Sequence, residues 1–192
     1  MRHILALAAL AALVAVVSPA SAQDSPMDPA AMEKLMVELA TPGPQHQLLA
    51  GLTGEWTTTM TNYMSGPEPV TTTGTYSGEA LFGGRYFVGH HEGEAMGQPF
   101  AGMNIDGFDN STQKFFSMWI DNFGTGYYLA HGELDQDGKT LRHAGTMNFG
   151  PMEIPSRSVT VFVSADEVNF TMWHTMDGQE IKAMDLKYER VK

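Results

Sequence analysis

From Gly54 to Arg190 the chain consists of short runs rich in Thr, Val, Tyr, Phe and Trp, each cut off by a turn signal. The runs are Glu55–Tyr63, Val70–Leu81, Arg85–Glu94, Phe100–Phe108, Lys114–Asp121, Gly126–Leu134, Thr140–Asn148, Ser156–Val163, Glu167–His174 and Glu180–Arg190. Between them stand Gly66-Pro67, Gly83-Gly84, Met96-Gly97-Gln98-Pro99, Asp109-Asn110, Asn122–Thr125, Asp137-Gly138, Gly150-Pro151, Ala165-Asp166 and Asp177-Gly178. Nearly all of these connections are too short for parallel crossovers, and Asp-Gly is a tight hairpin signal. The pattern predicts an antiparallel meander of about ten strands. An up-and-down sheet of that width removes its exposed edges by closing into a barrel. Glycines within the runs (Gly74, Gly78, Gly89, Gly93, Gly102, Gly132 and Gly145) weaken a strand unless the sheet bends there or something approaches closely. Bends in a narrow barrel are the first expectation, and room for a ligand beside bare backbone is the second.

The sequence before Gly54 has a different period. Residues 1–22 have a basic start (Arg2, His3), an apolar stretch from Ile4 to Val17 and the small-residue site Ala20-Ser21-Ala22. That is the pattern of a signal peptide cut after Ala22, and its apolar run is short for a membrane anchor. It predicts an exported, soluble protein of the periplasm or the medium. Residues 23–28 read as a linker and 29–53 as a helical segment. Asp28-Pro29 forms a helix start, and Met32, Leu35, Met36 and Leu39 then recur at helical spacing. A second short helix begins at Pro44 and carries His46, Leu48, Leu49 and Leu52. Both apolar stripes need a surface, so the segment is expected to cap or flank the barrel of residues 54–192.

Net charge is −11, one unit more negative once Arg2 is removed with the leader, which argues against nucleic acid or an anionic lipid surface as partner. No cysteine is present, so neither disulfides nor a lipid-anchored amino terminus enter the picture.

Several pieces carry a family resemblance. They are Thr41-Pro-Gly-Pro-Gln-His-Gln-Leu-Leu49, Leu52-Thr-Gly-Glu-Trp56, Phe82-Gly-Gly-Arg-Tyr86, Met96-Gly-Gln-Pro-Phe100, Gly107-Phe-Asp-Asn110, and Trp119-Ile-Asp121 with Gly124-Thr-Gly126. Gly54-x-Trp56 resembles the opening signature of lipocalin-type barrels, and the set as a whole resembles the bacterial family called domain of unknown function 1579. The resemblance implies a closed antiparallel barrel of the calycin kind and no established activity.

Candidate site residues follow from strand parity, because residues two apart share a face. Arg85, Phe87 and His91 share one face of their run, and Trp119 and Asp121 share one of theirs. With Tyr127 and His131, these are the residues expected to line the lumen. A buried Asp121 needs a partner, and Arg85 is the cation expected to pair with it beside Trp119. A carboxylate pair of Asp106 and Asp121 is a further arrangement to test. His90 and His91 face opposite ways, and no local spacing supports a metal site built from histidines. Haem needs only one inward histidine in an apolar pocket; neighbouring calycin-type barrels bind fatty acids, retinoids or haem, an analogy from fold alone. The fourteen methionines read as adaptable core filling. No Gly-x-Ser-x-Gly, catalytic cysteine, His-Glu-x-x-His or phosphate loop is present.

The leading expectation is therefore a barrel that binds a small apolar or amphipathic molecule, without catalysis and with no bound cofactor required. A homodimer is compatible with its mixed outer faces. The competing reading is a structural or interaction protein whose barrel is filled by its own side chains. Third comes a haem binder, or an isomerase or hydratase using Asp121 with a histidine.

Overall fold

The computed structural model describes residues 28–192; the expected leader and most of the linker lie outside the described residues. Two helices, α1 (Pro29–Ala40) and α2 (Pro44–Ala50), precede ten strands. These are β1 (Gly54–Asn62), β2 (Val70–Leu81), β3 (Tyr86–Ala95), β4 (Gln98–Asp109), β5 (Lys114–Asp121), β6 (Tyr128–Leu134), β7 (Thr140–Phe149), β8 (Met152–Ser164), β9 (Glu167–Met176) and β10 (Gln179–Arg190). Each strand pairs antiparallel with its neighbours in sequence, and β1 pairs with β10 to close the barrel. The chain is thus mainly β, a closed ten-stranded meander, as the turn punctuation predicts.

Local chemistry accounts for the hairpins. Met96-Gly97 and Asp177-Gly178 both hold two successive positive φ values (52° and 72°, 51° and 74°), the geometry of the tight turn whose twist matches paired strands. Strand β8 begins four residues earlier than expected and contains Pro155. Pro155 lies opposite Thr146 of β7, while pairing with β9 starts only at Ser156, so the proline sits where β8 is still an edge on its β9 side.

The two ends of the barrel differ. At one end α2 lies across the opening. Its Leu49 joins Phe87, Phe108, Phe115 and Leu141 in a fully buried cluster, and His46 meets the Phe108 ring edge-on at 5.9 Å. The Gly-x-Trp segment locks this plug in place. Trp56 is 1 % exposed and donates its indole N–H to Leu52 O at 3.2 Å. The Arg190 guanidinium stacks over the Trp56 ring at 4.0 Å and donates to Gly51 O and Thr53 O, both at 2.7 Å. We call this the closed end; the opposite end carries the β1–β2, β3–β4, β5–β6, β7–β8 and β9–β10 turns.

Helix α1 corrects one expectation. None of its residues is buried, and Met36 and Val37 remain more than half exposed, so its apolar stripe does not cap the barrel. Its tie is polar: the Asn110 side-chain amide donates to Leu39 O at 3.0 Å and Thr41 O at 2.9 Å.

Candidate functional site

Register determines what faces inward. Starting from buried Trp56 and Tyr76, which are paired across β1 and β2, the alternation runs through His91 and Gly89 on β3, then Gly102, Asn104 and Asp106 on β4. It continues through Ser117, Trp119 and Asp121 on β5 and Tyr128, Ala130 and Gly132 on β6. Strand β10 contributes Met184, Leu186 and Tyr188. At the closed end these inward side chains are buried. Deeper inside, Asn104, Asp106, Ser117, Trp119, Phe170, Leu186 and Tyr188 are only partly buried although the wall surrounds them. A side chain that faces inward and is still accessible borders open space, so the barrel keeps a hollow between plug and mouth.

Four rings form the wall of this hollow. Tyr76 meets His91 at 4.8 Å and Tyr188 at 5.4 Å, and His91 meets Trp119 at 5.0 Å, all edge-to-face. Strand glycines make room for them. A Cβ on Gly89 would lie 2.2 Å from Tyr76 Cε2, and one on Gly102 would lie 2.4 Å from Trp119 Cζ2. The rings lie flat across bare backbone, so these glycines answer to their own neighbours rather than to bends or to a ligand. Phe100 stacks on Trp119 at 6.2 Å and faces an open depression of about 510 Å³ at the mouth, shared with Gly74, Glu92, Gly93 and Asn122.

Beside the rings runs a hydrogen-bonded chain. Asn104 Nδ2 donates to Asp106 Oδ2 at 2.7 Å, which turns Asn104 Oδ1 toward His91 Nε2 at 3.0 Å. An acceptor there makes His91 the Nε2–H tautomer. Burial lowers the His91 pKa to about 4, so its ring is neutral near pH 7. Burial raises the Asp106 carboxyl to about 6, against the opposing pull of the Ser117 hydroxyl directly across on β5 and of Asn104. Among the described residues Asp106 takes part in no ion pair; every bridged carboxylate belongs to another residue.

The far wall holds His143, His174, Ser156 and Ser158. His174 Nδ1 and Ser156 Oγ are 2.8 Å apart, and Ser156 Oγ also donates to Ile154 O at 3.0 Å. His143 lies against Gly132, and its buried Nε2 has no hydrogen-bond partner among the described residues. Burial lowers its pKa to about 4.

Of the residues expected in the lumen, His91 and Trp119 stand in the ring wall, and Phe87 belongs to the plug cluster beneath it. Asp121 is on the inward register at the mouth end of β5, with both oxygens in use: Oδ2 accepts from Trp119 Nε1 at 2.8 Å and Oδ1 from Phe123 N at 2.9 Å. Three placements are corrected. Arg85 precedes β3, is exposed, and donates to Phe82 O at 2.7 Å within its own turn. Asp121 pairs opposite Gly102, which faces His91, so Arg85 lies six residues along β3, roughly 20 Å away at about 3.3 Å per residue. The expected Arg85–Asp121 ion pair does not form. Tyr127 lies outside β6 and is 65 % exposed, while His131 sits between inward Ala130 and Gly132 and so faces out. The Asp106–Asp121 carboxylate pair is absent too, because Asp106 lies opposite Ser117, four residues along β4 from Gly102. Sequence reading missed Tyr76, Asn104, Ser117, His143 and Tyr188. For β6 a signal existed: Glu133 shares the face of Tyr127 and His131, and a charged residue marks the outside.

Plug, ring wall and hollow define the class: a closed antiparallel barrel with an accessible, partly polar interior. The chain belongs to the family described as "Protein of unknown function (DUF1579)", which matches residues 41–190. No curated protein matches it. Among solved structures it is similar to "Crystal Structure of Rv2717c from M. tuberculosis", with a TM-score of 0.58 and 12 % identity over 79 % of this chain and all of that one. At that identity the likeness concerns the fold alone.

Proposed function

We propose that this protein is an exported barrel that binds one small, largely apolar molecule in its interior and does not transform it. The observation that carries this reading is the partial accessibility of inward side chains such as Asp106, Ser117, Leu186 and Tyr188, together with the plug that shuts one end. A self-filled structural barrel would bury those side chains as completely as Phe115 and Trp56 are buried. Apolar and aromatic side chains (Phe170, Met184, Leu186, Trp119, Tyr188) supply one part of the wall, and the Asn104–Asp106 chain supplies fixed polar contacts beside them. Export rests on the leader pattern of residues 1–22.

Native mass spectrometry of the protein purified from its own cell envelope tests both parts. The expected spectrum shows a chain beginning at Gln23 and a second species heavier by one small molecule. Stripped protein should then take up Nile red saturably, one dye per chain. A chain beginning at Met1 overturns export. A bare mass together with unsaturable dye uptake overturns the carrier reading in favour of a self-filled barrel.

A further inference from the structure

The interior holds a carboxylate without a counter-ion, one step toward the closed end from the level of the Trp119 ring. Asp106 is fixed by Asn104 Nδ2 at 2.7 Å and faces Ser117, one inward step along β4 from the level of Trp119. Burial makes the phenols of Tyr76 and Tyr188 harder to ionise, and the nearby Asp106 charge adds to it. Among the described residues no lysine or arginine approaches it, and burial holds the neighbouring His91 neutral against the pull of its bond to Asn104, which favours the charged ring. A half-buried carboxylate that lacks a counter-ion gains when a cation arrives. The faces of Trp and Tyr carry negative potential, so they attract that same cation and repel an anion.

We propose that the barrel's ligand is an amphipathic amine, its ammonium group seated against Asp106 beside the partly accessible rings of Trp119 and Tyr188, its apolar tail in the hollow. The inference deepens the carrier reading and rests on it. An ammonium without N–H donors suits this place as well as a protonated amine, because ring faces and a carboxylate attract charge and need no directed hydrogen bond. The Asn104 and Ser117 contacts keep the carboxylate oriented before the ligand enters. The elevated Asp106 pKa agrees with this: the charged form is disfavoured in the empty site, and an arriving cation restores it.

Calorimetric titration of the purified chain with three probes of equal tail length tests the proposal: decyltrimethylammonium, decanol and decanoate. At about pH 7.5, where Asp106 is ionised, the ammonium should bind about tenfold or more tighter than decanol, and decanoate weakest. At about pH 5, where most of Asp106 is protonated, the preference for the ammonium should shrink while decanol is unchanged. Asp106→Asn should abolish the preference at both pH values; the pH series on the unmodified chain carries the test if that variant fails to fold. Equal affinity for the three probes, or a preference for decanoate, overturns the amine assignment and leaves the carrier reading standing. Absence of binding by all three overturns both.

Discussion

Gly89→Val should cost about 1–3 kcal/mol of stability or more and remove ligand binding with it, the usual penalty for forcing extra atoms into a packed site. The added Cβ would sit 2.2 Å from Tyr76 Cε2 and 2.5 Å from Asn104 Oδ1, and neither neighbour is free to withdraw. Tyr76 is 3 % exposed and wedged between His91 and Tyr188, and Asn104 is held by His91 on one side and Asp106 on the other. The substitution therefore strikes the ring wall and the polar chain at once. Urea unfolding followed by near-ultraviolet circular dichroism reads the effect, because the aromatic bands report the packing of those rings. Gly126→Ala is the control, since nothing lies within 4 Å of a Cβ there, and it should change neither quantity. A Gly89→Val protein with native stability and unchanged aromatic bands would show that the wall is not packed as described.

The second large effect is an acid transition set by buried histidines. His91 and His143 have folded pKa values near 4 against an ordinary 6.5, both through burial. The unfolded chain therefore binds protons that the folded chain refuses, and stability present above about pH 6.5 is lost as pH falls toward 4. At about 1.4 kcal/mol per unit the loss is on the order of 3 kcal/mol for each ring at most. Asp106 works in the opposite sense. Its folded pKa near 6 exceeds the ordinary 3.8, so the folded state holds a proton longer and gains stability as pH falls from 6 to 3.8. One carboxyl offsets about one histidine, leaving a net loss on the order of 3 kcal/mol across that window. His174 and His46, both lowered mainly by burial, add in the same direction as the other histidines. Urea midpoints measured from about pH 7.5 to about pH 4 should fall, more gently in His143→Gln and more steeply in Asp106→Asn. The latter variant should also be more stable than the unmodified chain at neutral pH, where the lone carboxylate is charged. A flat profile from 6.5 to 4 would mean that the interior is wet enough to ionise these rings without cost.

The strand order and closure of this barrel were readable in the amino-acid sequence, because both depend on local features. Turn residues such as Asp177-Gly178 force hairpins, hairpins force antiparallel neighbours, and ten such strands leave two edges whose hydrogen bonds only each other can satisfy. Parity within a strand was readable only where the faces differ chemically. On β5 parity puts Trp119 and Asp121 on one face, and the register turns that face inward. On β6 both faces carry apolar residues, Tyr127 and Leu129 against Tyr128 and Ala130, so apolar alternation alone does not choose, and Tyr127 and His131 face out rather than into the lumen.

The interior chemistry needed the closed structure. Tyr76 and Tyr188 are far apart in sequence and become neighbours only because β1 lies between β2 and β10. Asp106 looks no different from Asp121 in the sequence, and Arg85 looks a suitable partner for either. Tertiary structure separates them by register: Asp121 spends both oxygens on Trp119 and the β5–β6 turn, Arg85 serves its own loop, and Asp106 is left deep inside with Asn104 and Ser117. Turn chemistry acts over two or three residues and is written locally, so the sequence by itself determined the barrel. Which carboxylate lies among the rings without a counter-ion depends on contacts between strands far apart in the chain, and only the folded barrel decided that.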